Sequence, residues 1–179
     1  RPPRSTLFPY TTLFRSVHVF DYRKRAEREH TLPLPGPLRR RLDRRAMSDE
    51  LLRTVGELRP DVVLLLKGET IRVDALREIK QRYNPVLLQW YPDGPFNVEN
   101  RNATSDSIAS IPLFDIYYIY ARSLMQPLRD AGARRVDYLP FCYDPNMLVM
   151  PKEVSEEDRA KYATDVVFAG TWEPMREWW

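Results

Sequence analysis

Residues 61–67 read DVVLLLK, and Gly68 follows them. Every position between the aspartate and the lysine is apolar, without the polar alternation of a strand that has one face in water. A parallel strand that is buried on both faces has this continuous pattern. The stretch therefore predicts a buried strand of a parallel sheet, ending in a lysine–glycine turn.

Helices and strands alternate on the carboxyl side of this strand. Apolar residues at Val73, Leu76, Ile79 and Tyr83 have the spacing of one helix face. We predict, in order, a helix over 73–83, a strand over 86–91, a polar loop over 92–107, a strand over 115–120, a helix over 123–131 with Gly132 after its end, and a strand over 135–139.

The residues before the first quoted strand predict a further strand and a helix. VHVFDY at 17–22 is typical of a strand, and 23–37 is charged and then proline-rich, which favours a loop. Ser48 is a suitable N-cap for a helix that has acidic residues in its first turn and ends before Pro60. The arginine-rich stretch 38–45 fits either a solvated helix face or a contact with an anionic surface.

This alternation predicts an α/β fold with a doubly wound, mostly parallel, Rossmann-like sheet. In such sheets, ligands bind at the carboxyl ends of strands, near the point where the strand order reverses. Three segments leave predicted strand ends, at 67–69, 90–97 and 170–176. They are the candidate binding segments.

Residues 1–16 have a different origin from the rest of the chain. RPPRSTLFPYTTLFRS back-translates, codon for codon, into a common short-read sequencing adapter, so we interpret it as translated adapter and exclude it from the fold prediction. The segment carries three arginines and no acid, and the other residues hold 25 basic and 25 acidic side chains. The net charge of +3 therefore comes from the adapter and gives no support for nucleic-acid binding.

The composition also bears on the cellular compartment, on membrane spans and on metal sites. Cys142 is the only cysteine, so no disulfide forms within the chain, and we expect a reducing, cytoplasmic compartment. No apolar run approaches the roughly 18 residues of a membrane span. His18 and His30 are the only histidines, and with Cys142 they give no zinc-ligand spacing. We expect neither a metal nor a cofactor.

The turn at 67–69 is the first candidate site. Gly68 allows a ligand to approach the backbone closely, and Lys67 and Glu69 flank it as substrate-binding candidates. A simple strand-to-helix turn with solvated charges explains the same residues.

The segment WYPDGPFN at 90–97 is the second candidate site. Asp93 can accept a hydrogen bond from a hydroxyl group or act as a base, and Trp90, Tyr91 and Asn97 lie near it in sequence. Aromatic faces beside polar acceptors suit a sugar, which has apolar ring faces and a polar rim. An ordinary turn after a core tryptophan is the alternative.

TDVVFAG at 164–170 predicts a strand that opens a second nucleotide-binding domain. Backbone N–H groups after Gly170, at Thr171 and beyond, together with the Arg176 guanidinium, suit a diphosphate. A hairpin-like loop with a surface arginine is the alternative. We predict a Rossmann-like domain over 17–150, a linker with a short helix over 151–163, and the truncated start of another domain over 164–179.

The order of these segments resembles a known family. RPDVVLLLKGETI, QWYPDGPFN, FDIYYIYARS, AGARRVDYLPFCYDP and TDVVFAGTWEPMRE follow one another as in the spore-maturation glycosyltransferase-like proteins of bacteria. The resemblance covers roughly residues 60–176 and implies a two-domain glycosyltransferase of the GT-B type. Family patterns near Asp93 often show more acidic residues, where this chain has Gly94.

The resemblance implies that 17–150 is the acceptor-side domain and that 164–179 begins the nucleotide-sugar domain. Segments 67–69 and 90–97 then lie at the interdomain face, with Asp93 as the candidate catalytic carboxylate. A nucleotide-sugar donor and an unknown acceptor are the implied partners, and the chain alone is expected to be inactive. A non-catalytic α/β ligand-binding module and a nucleotide-sugar epimerase are the alternatives, and the epimerase would carry a G-x-G-x-x-G turn at its first strand.

Overall fold

The computed structural model describes residues 16–21, 36–96, 103–142, 144–145, 153–167 and 170. The chain divides into two compact units, Arg1–Phe141 and Cys142–Trp179, so the division falls before the predicted boundary at residue 150. The first unit holds a parallel sheet and its helices. The described part of the second unit holds one short helix.

The elements follow the predicted alternation closely. They are α1 (Gly36–Leu58), β1 (Val62–Leu66), α2 (Val73–Tyr83), β2 (Val86–Tyr91), α3 (Ser105–Ala109), β3 (Ile116–Ile119), α4 (Met125–Asp130), β4 (Val136–Tyr138) and α5 (Glu156–Tyr162), with 3-10 turns at Ile111–Leu113 and Arg122–Leu124. The prediction of Gly132 after the end of α4 is confirmed, since α4 is capped by Ala131 and Gly132 has φ +93°.

The four strands form one parallel sheet in the order β1-β2-β3-β4, which confirms the predicted α/β, Rossmann-like architecture. Leu64 pairs in register with Leu88, and Leu88 pairs with Ile116. Because the described strands follow their sequence order without reversal, right-handed connections place α2, α3 and α4 on the same face. All four carboxyl ends share one edge.

The buried core lies between that sheet face and the helices. Residues at alternate strand positions point into it, as the two-residue period of a strand requires. The core cluster includes Leu51 and Val55 from α1, Leu76 and Ile79 from α2, Leu128 from α4, and Leu65, Leu87, Tyr91, Tyr117, Ile119 and Val136 from the strands.

The opposite face of the sheet is open, and this corrects the prediction that residues 61–67 are buried on both faces. Leu64 is 52% exposed and Leu66 is 56% exposed, whereas Leu65 between them is buried. Over the described residues of this unit, the helices that contact the sheet pack against its buried face, where Leu65 lies. The apolar pattern identified the strand correctly but not its surroundings.

The prediction that Ser48 caps a helix is wrong, because α1 begins twelve residues earlier, at Gly36. The Ser48 hydroxyl is buried, donates to the Arg44 carbonyl oxygen at 2.7 Å and accepts from the Arg72 N–H at 3.0 Å. Serine is tolerated inside the helix because this side chain bonds back to the preceding turn and also receives the N–H at the start of α2.

The predicted loop over 92–107 is wrong at its carboxyl end, where α3 begins at Ser105. Thr104 is the N-cap and its hydroxyl accepts from the Ser107 N–H at 3.1 Å, while the Ser107 hydroxyl accepts from the Thr104 N–H at 2.8 Å. This reciprocal pair is a capping box with serine in the place usually taken by glutamate or glutamine.

Both terminal strand predictions fail over their described residues. Residues 16–21 and 164–167 form no strand, and Val17, Val19, Val166 and Val167 are all more than two-thirds exposed. A β-strand needs a neighbouring strand to satisfy its backbone groups, and no described strand pairs with either segment. The interpretations of 1–16 as adapter and of 164–179 as the start of another domain stay predictions.

The predicted helix after Ser155 is confirmed as α5. The Ser155 hydroxyl accepts from the Asp158 N–H at 3.0 Å, and three acidic residues occupy the first turn.

Over the described residues, no helix combines the length and apolar character needed to cross a membrane.

Candidate functional site

The carboxyl ends of β1 and β2 bring Lys67 and Asp93 together. The Lys67 Nζ lies 2.7 Å from the Asp93 carboxylate. The lysine side chain is 18% exposed and the aspartate side chain is 35% exposed, so the pair lies in a shallow, partly covered position. We predict that Lys67, Asp93 and Gly170 lie at one edge, and this is confirmed for Lys67 and Asp93. Gly170 belongs to the second unit, so its part of the prediction stays untested.

The backbone after β1 turns sharply through two left-handed residues. Lys67 has φ +67° and Gly68 has φ +65°. The Lys67 N–H donates to the Trp90 carbonyl oxygen at 2.9 Å, and the Gly68 N–H donates to the Leu66 carbonyl oxygen at 2.9 Å. A lysine in this conformation is unusual, because a Cβ atom disfavours it. The surrounding bonds hold the side chain towards Asp93.

Gln89 supports this turn, and the sequence reasoning missed it. Its side chain is buried, and its Nε2 donates to the carbonyl oxygens of Lys67 and Trp90, both at 3.1 Å. A buried amide that bonds two main-chain carbonyls of neighbouring strands fixes the spacing of their ends. The available signal was one polar residue inside the otherwise apolar run VLLQWY.

Substitution of Gly68 by alanine tests the strain in the turn. An added Cβ atom would lie 2.9 Å from Leu65 Cδ2, and Leu65 is itself buried. The left-handed conformation adds its own cost, so we expect Gly68→Ala to lower the free energy of unfolding by about 2 kcal/mol. Chemical denaturation followed by circular dichroism measures this loss.

Gly36→Ala is the matched control for that substitution. No atom lies within 4 Å of a Cβ added at Gly36, which starts α1. The free energy of unfolding should change by no more than about 0.5 kcal/mol. Equal losses in the two variants would contradict the proposed constraint at Gly68.

Trp90 and Tyr91 point to opposite faces of the sheet. Trp90 is partly buried on the open face, where its ring packs edge-on against Phe141 at 5.5 Å and its Nε1 lies 3.5 Å from the Leu139 carbonyl oxygen. Tyr91 is 1% exposed and stacks on Tyr117 in the core. The structure therefore leaves Trp90 near the candidate site and removes Tyr91 from it, contrary to prediction.

Residues 69–70 directly follow the turn at Lys67 and Gly68. The Thr104 hydroxyl donates to the Glu69 carbonyl oxygen at 3.4 Å, which ties the turn to the start of α3. The Thr70 hydroxyl is buried and has no hydrogen-bond partner among the described residues. It adds an unsatisfied polar group beside Lys67 and Gly68.

A second charged cluster lies at the amino edge of the sheet, opposite Lys67. Asp115 accepts from Lys80 Nζ at 2.6 Å and from the Leu87 N–H at 2.8 Å, and Arg134 lies 3.4 Å away. Burial raises the pKa of Asp115, but the Lys80 and Leu87 hydrogen bonds and the two positive charges lower it more, so the carboxyl pKa falls below its ordinary value. The cluster joins α2, β2 and β3 and has a structural role.

Several predicted site residues are not part of the site that is described around Lys67 and Asp93. Asn97, Thr171 and Arg176 are outside the described residues, and Gly170 is exposed in the second unit. Within the described ranges, no group of three or more histidine, cysteine, aspartate or glutamate side chains is arranged to hold a metal ion. The site that can be built from the structure consists of Lys67, Gly68, Glu69, Trp90 and Asp93, supported by Gln89.

Comparison with protein-family models, curated proteins and solved structures found no significant match. The geometry of the first unit is therefore the basis for the proposals that follow.

Proposed function

We propose that this chain contains the acceptor-side domain of a GT-B-like glycosyltransferase, which transfers a sugar from a nucleotide-sugar donor to a hydroxyl group. The observation that carries the proposal is the 2.7 Å Lys67–Asp93 pair at the carboxyl ends of two adjacent parallel strands. In Rossmann-like sheets, this edge is where ligands bind.

Asp93 has the chemistry that an acceptor site needs. Its carboxylate can take the proton of an acceptor hydroxyl as that oxygen attacks the anomeric carbon of the donor. The bond between the sugar and the diphosphate breaks at the same time, and the nucleoside diphosphate leaves with the electron pair. Lys67 fixes the carboxylate, and the Gln89 contacts fix Lys67.

Trp90 supports a sugar as the acceptor class. Its indole is partly exposed and follows β2 directly before the turn that carries Asp93. In the proposed site, the exposed part of this indole stacks on the apolar face of a pyranose, and a hydroxyl group of the same sugar donates to the Asp93 carboxylate. A purely anionic ligand would gain nothing from this pairing.

A non-catalytic ligand-binding module is the second candidate. It is favoured by the ion pair itself, because the Lys67 ammonium group already occupies a carboxylate oxygen of Asp93 that would otherwise face the acceptor hydroxyl. In this alternative, the same residues bind a polyol and no transfer follows.

Ligand titration of this chain tests whether the edge is a carbohydrate site. We expect methyl glycosides of glucose, galactose and N-acetylglucosamine to shift the backbone amide resonances of Lys67, Gly68 and Trp90, with dissociation constants above about 1 mM. Asp93→Asn should weaken the effect, whereas Asp130→Asn, at an exposed carboxylate on α4, should leave it unchanged.

Two outcomes would count against the proposal. Shifts that are confined to other residues, or absent at saturating sugar, would remove this edge as an acceptor site. UDP-glucose is the donor probe, and tight binding of it by this chain alone would contradict a donor site in a second domain.

A further inference from the structure

The open face of the sheet is a continuous apolar surface over β1, β2 and β3. Three in-register rows cross it: Val62 with Val86, then Leu64 with Leu88 and Ile116, then Leu66 with Trp90 and Tyr118. No charged side chain interrupts these eight positions, which we call the open face. Parallel sheets are normally covered on both faces, so an uncovered apolar face of this kind calls for a partner.

The open face is most exposed along the edge strand β1 and at the start of β2. Val62 is 37% exposed, Leu64 52%, Leu66 56% and Val86 45%. With its partly buried neighbours and Phe141 beside it, the face leaves on the order of 600 Å² of apolar surface in water, close to the roughly 800 Å² that each partner contributes to a standard stable interface. Monomeric proteins rarely leave a larger patch uncovered.

We propose that a second copy of this chain covers the open face. Two such faces are chemically self-complementary, because their aliphatic rows on β1, β2 and β3 carry no charge, and the Arg135–Asp137 ion pair lies to the side, on the edge strand β4. A two-fold axis across the sheet would place the same residues on both sides of the interface. The two sheets would then pack face to face about 10 Å apart, as in a β-sandwich.

The size of the open face favours a second copy over a small occupant. A ligand or a short peptide covers only part of three rows, whereas a sheet of the same width covers most of them and leaves only the carboxyl edge at Trp90 to the proposed sugar site. Two copies bury about 1,200 Å² in total, which reaches the lower bound of specific, stable interfaces. The helices that pack on the other face need not move.

Sedimentation equilibrium of the full chain tests the proposal. We expect a monomer–dimer equilibrium in the micromolar range, and Leu64→Asp should raise the dissociation constant at least about 100-fold, because each dimer carries the buried charge twice. Leu42→Asp is the matched control. Leu42 is 46% exposed on α1, away from the open face, and its substitution should leave the constant within about twofold of the wild-type value.

A second measurement on the unmodified chain does not depend on how a variant folds. As the concentration of the chain rises, a soluble paramagnetic probe should enhance the relaxation of the Leu64 and Leu66 methyl resonances less. The relaxation of the Leu42 methyl resonances should not change. A chain that stays monomeric at about 100 µM, well above a micromolar dissociation constant, would overturn the proposal. So would association that leaves the Leu64 methyl groups accessible, or protection of those methyl groups at every concentration, which would assign the face to a segment of the same chain.

Discussion

If the proposed glycosyltransferase activity is correct, Asp93→Asn is expected to lower its turnover by at least about 100-fold, since removal of a positioned general base usually costs between 10² and 10⁴ in rate. The amide keeps the size of the carboxylate and can still accept a hydrogen bond, so the KM for the acceptor should change much less than kcat. Initial rates with acceptor varied at saturating donor separate the two constants.

Asp130→Asn is the control for that measurement and should keep wild-type kinetics, because Asp130 is exposed on α4. A KM increase with unchanged turnover would instead assign Asp93 to acceptor binding and favour the ligand-binding alternative. Wild-type values for both constants in Asp93→Asn would remove Asp93 from the site.

Local patterns were sufficient to predict most of the sheet. The structure has α2 over Val73–Tyr83 and β2 over Val86–Tyr91, with the bounds predicted from helical spacing and from the apolar run. These elements are predictable because each contains its own signal. For α2, apolar residues recur on one face, and Asn84, with φ +48°, ends the helix.

Features that depend on distant residues could not be predicted in this way. Ser48 resembles an N-cap in sequence, but the N–H that it receives belongs to Arg72, 24 residues later. The burial of β1 also depends on what packs over each face, and a run of apolar residues carries no information about that. The open face therefore appears only in the structure.

Some residues of the candidate site could likewise be predicted from the sequence, and others could not. Lys67 and Asp93 were predictable, because carboxyl ends of parallel neighbours share one edge. Tyr91 and Trp90 are adjacent in sequence, and only the register of the sheet decides that Tyr91 enters the core and Trp90 the open face. Gln89 was missed because its partners are main-chain carbonyl groups, which have no signature in the sequence.

Asp115→Ala is expected to lower the free energy of unfolding by about 2–3 kcal/mol at pH 7, because it leaves the Lys80 ammonium group and the Leu87 N–H without their acceptor. The side chain is 27% exposed, so the loss should be smaller than for a fully buried ion pair. Urea denaturation measures it. Glu78→Ala is the control, since its pairing with Arg82 is largely exposed and should contribute no more than about 0.5 kcal/mol.

The same variant should reveal the pH dependence of the cluster. The folded-state pKa of Asp115 lies below its ordinary value, so the unfolded chain binds its proton first as pH falls. The contribution of the carboxylate is therefore complete above the unfolded pKa of about 3.9 and is lost as pH drops through the lower folded value. The stability difference between wild type and Asp115→Ala should be constant from pH 7 to about pH 5 and should shrink below about pH 4. A difference that stays constant down to the acid limit of folding would show that Asp115 acts through packing and not through its charge.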